Sequence, residues 1–295
     1  MMTATSTKSH GHSADGVVAC LNCAHEFEGN FCNQCGQSAQ THSVDWHYIW
    51  HEIPHSVWHV DRGILFSVRE LCTRPGYTIR DFIAGKRVNH YRPLALLLIL
   101  GAIVAFVSHT LDVSIMKSSQ EVFTPGNAVA STRIKEFQTK LLHFLEAKQT
   151  LLQIVTIPIY AFWFWFMFKR KGYNYPQILV AQTFITNFSI LFSVIVTLIF
   201  WVFGGTAVVL KSVMGLSMMV LITYMVFVNL QLFRDKLSAG AIVIRTIVGY
   251  ALGYLSFLVL AMLIGVSVGI YYGYQDARNS KKAPTSAQVT SPTHH

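Results

Sequence analysis

Five stretches of this chain carry no Asp, Glu, Lys or Arg and are apolar at most positions: 93–111, 151–168, 178–203, 213–233 and 246–272. A bilayer core takes about 20 such residues per helix, within a range of roughly 17–25. Each stretch is read as a transmembrane helix, and the long 178–203 as a tilted one. Around them the pattern changes. Residues 1–19 are rich in Thr, Ser, His and Gly and predict a disordered tail, as do residues 273–295. Residues 20–37 form a short cysteine-rich head, and residues 44–92 are polar yet aromatic, which predicts short amphipathic helices beside the membrane. The expected class is an all-α integral membrane protein. About five transmembrane helices make up 93–272, preceded by a small zinc-ribbon-like knuckle and the juxtamembrane helices. Between the first two spans, Ile134, Phe137, Leu141, Phe144 and Leu145 recur at helical spacing. They read as a packed extension of span two ahead of a surface-lying helix.

Composition agrees with the pattern: 52% of the residues are hydrophobic and only 13% charged, against about a quarter charged in soluble domains. The net charge of +9 does not point to nucleic acid, because no basic aromatic stripe of the strand-binding kind is present. The cations stand beside the apolar runs, where anionic headgroups and topology account for them. Arg74, Arg80, Lys86, Arg87 and Arg92 precede span one. Lys169, Arg170 and Lys171 lie between spans two and three, and Arg234, Lys236 and Arg245 between four and five; only Lys211 lies between three and four. This bias predicts a multi-pass protein of the cell inner membrane with its N terminus in the cytoplasm. No secretory h-region precedes the head.

Cys20, Cys23, Cys32 and Cys35 give C-x2-C-x8-C-x2-C. Each two-residue gap lets one turn of chain offer two sulfurs, and four thiolates suit a tetrahedral ion. Gly36 follows the second pair, where a tight knuckle benefits from the missing Cβ. With four protein ligands and no open position, the ion is structural: one zinc per chain, although the same cage also accepts iron. Two disulfides would need an oxidising compartment, against the expected topology. Cys72 is left over as an ordinary thiol.

His47, His51, His55 and His59 recur every fourth residue, a candidate second metal site with Asp61. Within the run, His51-Glu52-Ile53-Pro54-His55 matches the H-E-x-x-H of zinc hydrolases. That chemistry needs both histidines on one unbroken helix. Pro54 works against this at a cost of roughly 3 kcal/mol. Trp46, Trp50 and Trp58 interleave with the histidines and favour an interfacial segment instead.

The segment 62–87 reads R-G-x-L-F-x-x-R-E-L-x-x-R-P-G-x-x-I-R-x-F-I-x-G-K-R, with one helix ending at Arg74-Pro75-Gly76, Thr78 as cap of the next and Gly85 closing it. Its cations, Arg74, Arg80, Lys86 and Arg87 with Arg92 beyond, could contact lipid phosphate or another anion. This block resembles the domain-of-unknown-function 3667 family of bacterial membrane proteins with a cysteine-knuckle N terminus. The resemblance implies a membrane fold and carries no catalytic residue.

The spans hold no ionisable group, and Gln182 and Asn187 are the main deep polar residues. Gly249-x-x-x-Gly253, Gly265-x-x-x-Gly269 and Gly269-x-x-x-Gly273 on span five allow close helix approach, within the bundle or in a homodimer. The expectation is a noncatalytic scaffold or regulator whose zinc head meets a cytoplasmic protein partner. A transporter or lipid-handling protein is the alternative, and a hydrolase using His51, Glu52 and His55 comes third.

Overall fold

The computed structural model describes residues 17–41, 43–49, 63–113, 141, 144–145, 148–169, 171–204 and 206–282. His51, Glu52, His55 and His59 lie outside the described residues, as do Ile134 and Phe137 of the amphipathic stripe.

The head is a hairpin. β1 (Val17–Ala19) pairs antiparallel with β2 (Glu26–Glu28), Val18 opposite Phe27. The last residues expected in the N-terminal tail are thus drawn into the head, because β2 offers a ladder to pair with. Two short helices follow, α1 (Gly63–Thr73) and α2 (Pro75–Ile83). Thr78 is not the cap of α2: the helix opens three residues earlier at Pro75, whose fixed φ suits a first turn. The Thr78 hydroxyl instead donates to the Arg74 carbonyl at 3.1 Å.

Among the described residues five longer helices come next: α3 (Pro93–Thr110), α4 (Gln149–Phe168), α5 (Tyr175–Phe203), α6 (Ala207–Phe233) and α7 (Ala239–Lys282). All five are long and apolar enough to cross a membrane, so the chain has the build of a multi-pass membrane protein. Their starts follow local chemistry that hydropathy does not weigh. Asn174 and Gln177 form a capping box, so α5 begins at Tyr175 rather than at 178. The Thr206 hydroxyl accepts from the Val209 amide, so α6 begins at Ala207 and carries Lys211 in its early turns. α7 runs past Tyr272 to Lys282, so residues 273–282 are helical rather than tail. They contain no proline, and adding residues to an existing helix avoids a new nucleus.

The bundle is taller than a bilayer core. α5, with 29 residues, measures about 43 Å at 1.5 Å per residue, against about 30 Å of hydrocarbon. α3 does not begin level with it. The Pro93 carbonyl accepts from Asn187 Nδ2 at 2.9 Å, and Asn187 lies about three turns into α5. The space beneath α3 is filled by α1 and α2. Phe82 of α2 meets Phe184 of α5 edge to face at 5.2 Å, and the Tyr224 hydroxyl of α6 donates to the Leu71 carbonyl at 3.0 Å.

Gly76 makes the closest approach, with its amide donating to Gln231 Oε1 at 2.9 Å. A Cβ there would fall 2.6 Å from the Val228 carbonyl oxygen and 2.9 Å from the Leu232 nitrogen. On α7, Gly249 and Gly253 face Phe164 and Tyr160 of α4, so this pair serves packing within the chain, whereas Gly265 has nothing within 4 Å. Apolar side chains such as Phe106, Trp201, Phe227, Leu255 and Leu263 cover the outside, as lipid contact requires. Gly76→Ala is expected to lower the melting temperature of the detergent-solubilised protein, with a loss of about 1–3 kcal/mol from overpacking against backbone. Gly265→Ala is expected to stay within about 0.5 kcal/mol. Circular-dichroism melts of both variants check the contrast.

Candidate metal centre

Two knuckles built on one plan make the centre. In the first, the Cys20 amide donates to the His25 carbonyl and the Ala24 amide to the Cys20 carbonyl, each at 2.9 Å. In the second, the Cys32 amide donates to the Gln37 carbonyl and the Gly36 amide to the Cys32 carbonyl, each at 2.8 Å. The residue after each C-x2-C turns left-handed: Ala24 has φ +60° and Gly36 φ +77°. The glycine signals this turn in the sequence; the alanine does not, and it bears the steric cost of its Cβ there.

The four sulfurs lie within 4.8 Å of one another. Cys20 and Cys35 are 3.4 Å apart and Cys23 and Cys32 3.6 Å, and all four are free thiols. A disulfide would need about 2.05 Å. A tetrahedron with arms of about 2.3 Å has edges of about 3.8 Å, close to what is seen. The Asn22 amide points to Cys20 Sγ at 3.4 Å, a donor that stabilises a thiolate. Burial works against ionisation of Cys32, but the Cys35 and Gln34 amides outweigh it, and its thiol is lowered to about 6. Cys23 has a favourable amide from His25, yet burial and the three neighbouring sulfurs raise it to about 12. Four thiolates this close would repel one another, and a cation between them offsets that repulsion. The set fits a tetrahedral, thiophilic ion with no open coordination position. Among the described residues this is the one grouping of three or more metal-ligating side chains.

The histidine run divides at the edge of the described residues. His47 is exposed in a turn of helix at 46–49, where Asp45 Oδ1 accepts from the Tyr48 amide at 2.9 Å. Trp46 stacks on Tyr175 at 5.5 Å, placing this segment against the start of α5.

The basic residues before α3 are engaged by the protein. Arg74 pairs with Glu70 at 2.6 Å and Lys86 with Asp81 at 3.0 Å. Arg80 reaches the end of α6: Nη1 pairs with Asp235 at 2.7 Å, and Nη2 donates to the Gln231 and Leu232 carbonyls at 2.8 and 3.0 Å. Arg87 lies 4.4 Å from the Tyr48 ring and 5.1 Å from that of Phe82. Arg92 stands at the N-cap position of α3 without a side-chain cap bond, its carbonyl accepting the Leu96 amide at 2.9 Å. Lys236 sits 4.0 Å above the Tyr173 ring. The head, α2, the 169–174 loop and the 234–238 loop thus share one end of the bundle.

A residue that spacing alone could not flag joins the head to this end. Gln37 is buried, its Nε2 donating to the Gly85 carbonyl at 2.8 Å and its Oε1 accepting from the Arg87 amide at 3.2 Å. Its only signal in the sequence is a polar side chain directly after the second knuckle.

With this geometry in view, a family model described as a protein of unknown function (DUF3667) matches residues 61–105. The match supports the DUF3667 family. It covers α1, α2, the connection to α3 and most of α3, and leaves the cysteine head outside. Nothing among the curated proteins or the solved structures matches the chain.

His90, in the connection matched by DUF3667, packs edge-on to Phe66 at 5.3 Å and Phe82 at 6.3 Å. Its Nδ1 is buried with no hydrogen-bond partner among the described residues. Burial lowers its pKa below the ordinary 6.5; Glu70 and Asp81 pull the other way and Arg74 adds to the fall. An unfolded chain therefore takes up a proton near 6.5 that the folded connection resists. The contribution to stability is full above that pH and is lost as the pH falls through the lowered value. His90→Gln is expected to flatten the acid side of a thermal-unfolding series below about pH 6.5; an unchanged slope would count against the assignment.

Proposed function

We propose that this is a noncatalytic scaffold or regulator of the bacterial inner membrane, with a structural zinc head and the basic loops on the cytoplasmic face. The observation that carries the reading is the closed four-sulfur set, which leaves an ion no position for substrate, at the end of a five-helix bundle of membrane-spanning length. The same end gathers Arg80, Arg87, Lys169, Lys171, Arg234 and Lys236, in keeping with the positive-inside rule. The exposed Phe31 and Leu65 give a cytoplasmic protein partner apolar points of contact. A second copy of the chain could meet α7 around Gly265. Against transport stand the bonds that engage the deep polar groups: Gln182 Oε1 accepts from the Tyr250 hydroxyl at 3.1 Å, and Asn187 Nδ2 donates to the Pro93 carbonyl, although Asn187 Oδ1 is buried without a partner among the described residues.

Element analysis of the chain purified in detergent tests the reading. One zinc per chain is expected, falling to a small fraction in Cys23→Ser and unchanged in His47→Ala. A stoichiometry of two, or a metal content that survives Cys23→Ser, would contradict a single structural ion.

A further inference from the structure

Both knuckles of the head touch the same short turn of chain. From the second, Gln37 has its carbonyl fixed by the Cys32 amide at 2.8 Å, while its side chain brackets residues 85–87: Nε2 to the Gly85 carbonyl at 2.8 Å and Oε1 to the Arg87 amide at 3.2 Å. From the first, Leu21 lies between the ligands Cys20 and Cys23 and covers Gly85. A Cβ at Gly85 would fall 2.7 Å from Leu21 Cδ1, which shows how closely Leu21 lies over the turn, and the residue's φ of +95° favours glycine. The contact continues inward. Arg87 lies against Tyr48 and Phe82, Phe82 meets Phe184 of α5, and the rest of α2 is held to α6 through Gly76 and Arg80.

We infer that metal occupancy of the four-cysteine centre latches the turn at residues 85–87 against the bundle, so that losing the ion frees this turn while the helices remain folded. The inference rests on the metal reading above and adds what the ion controls. The head has strands of three residues each and a core of Cys20, Phe27 and Cys32. So small a core does not hold its knuckles without the ion. Gln37 and Leu21 sit at knuckle positions, so the clamp depends on the cage. The bundle has its own core, centred on side chains such as Leu96, Phe164, Phe184 and Phe233, and does not depend on it. The ligand is a thiophilic divalent cation of tetrahedral preference, of which zinc is the first to try.

Trypsin reads the latch directly, because Lys86 and Arg87 are its targets and lie inside the clamp. The Lys86 side chain is 47% exposed, yet its amide is bound to the Asp81 carbonyl at 3.0 Å, and a protease needs the backbone released. Full-length protein in detergent micelles is digested with zinc bound, after EDTA treatment, and after zinc is restored. New termini at Arg87 and Val88 are counted by mass spectrometry, with cleavage after the exposed Lys148, ahead of α4, as the internal reference. EDTA is expected to speed the first two cuts on the order of tenfold, a shift that the two Gln37 hydrogen bonds supply; zinc is expected to reverse it. Gln37→Ala is expected to keep one zinc per chain and cut fast even when loaded. Equal rates with and without zinc would overturn this inference alone, leaving the structural zinc in place. Gln37→Ala cutting as slowly as the parent with zinc bound would also overturn it. A chain that never holds metal would overturn it together with the functional reading.

Discussion

A helix that ends near hydrocarbon leaves its last carbonyls without partners, and lipid offers none. Much of the arrangement at the head end of this molecule answers that constraint. α4 and α6 both finish there, and each receives an arginine from elsewhere in the chain. Arg245 of α7 donates to the Met167 carbonyl at 2.8 Å, and Arg80 of α2 to the Gln231 and Leu232 carbonyls. A guanidinium meets a helix C-terminus with both hydrogen bonds and the favourable sign of charge. Residues that the charge count treats as topology signals therefore also close the helices of their neighbours.

The same constraint explains why α1 and α2 sit inside the outline of the bundle. The helix hairpin packed beneath α3 buries polar groups, and several are met by protein, His90 Nδ1 excepted. Glu70 is buried with Arg74 and Thr78 around it, the Ser67 hydroxyl accepts the Tyr91 amide at 2.7 Å, and Tyr224 takes the Leu71 carbonyl. All of these groups but Tyr224 lie on the segment that the DUF3667 match covers. Physically, that segment is the joint on which the head, α5 and α6 converge, and its positions are held by backbone approach and capping.

How much of this the sequence showed depends on the range of the forces involved. Spans are legible because burial in lipid depends on composition summed over about 20 residues. Their ends are set by one or two side chains, and so Asn174, Thr206 and Pro75 moved the boundaries. The cysteine centre was legible because ligand spacing encodes its local geometry, and Gly36 marked one of its two left-handed turns. Arg80 stood out as a cation, but its partners lie some 150 positions away in the chain, and no local pattern carries such a pairing. Gln37 was invisible for the same reason. The glycine pairs of span five showed that two helices approach there, and only the fold assigns Gly249 and Gly253 to α4 rather than to a second copy.

The polar groups within the spans complete the picture. Conduction through a bundle calls for side chains that bind a passing ion or proton and release it. Here three of them bind protein across helices, while Asn187 Oδ1 and Thr246 Oγ1 are buried with no partner among the described residues. Gln182 joins α5 to Tyr250 of α7, Asn187 joins α5 to the start of α3, and Trp163 of α4 donates to Ser256 of α7 at 2.8 Å. Each bond crosses between helices, and each is costly to break where no water replaces it. Such bonds fix register and distance between helices that dispersion alone would let slide. A bundle pinned this way has fixed registers between its helices, and the four thiols that could hold an ion are gathered at its end.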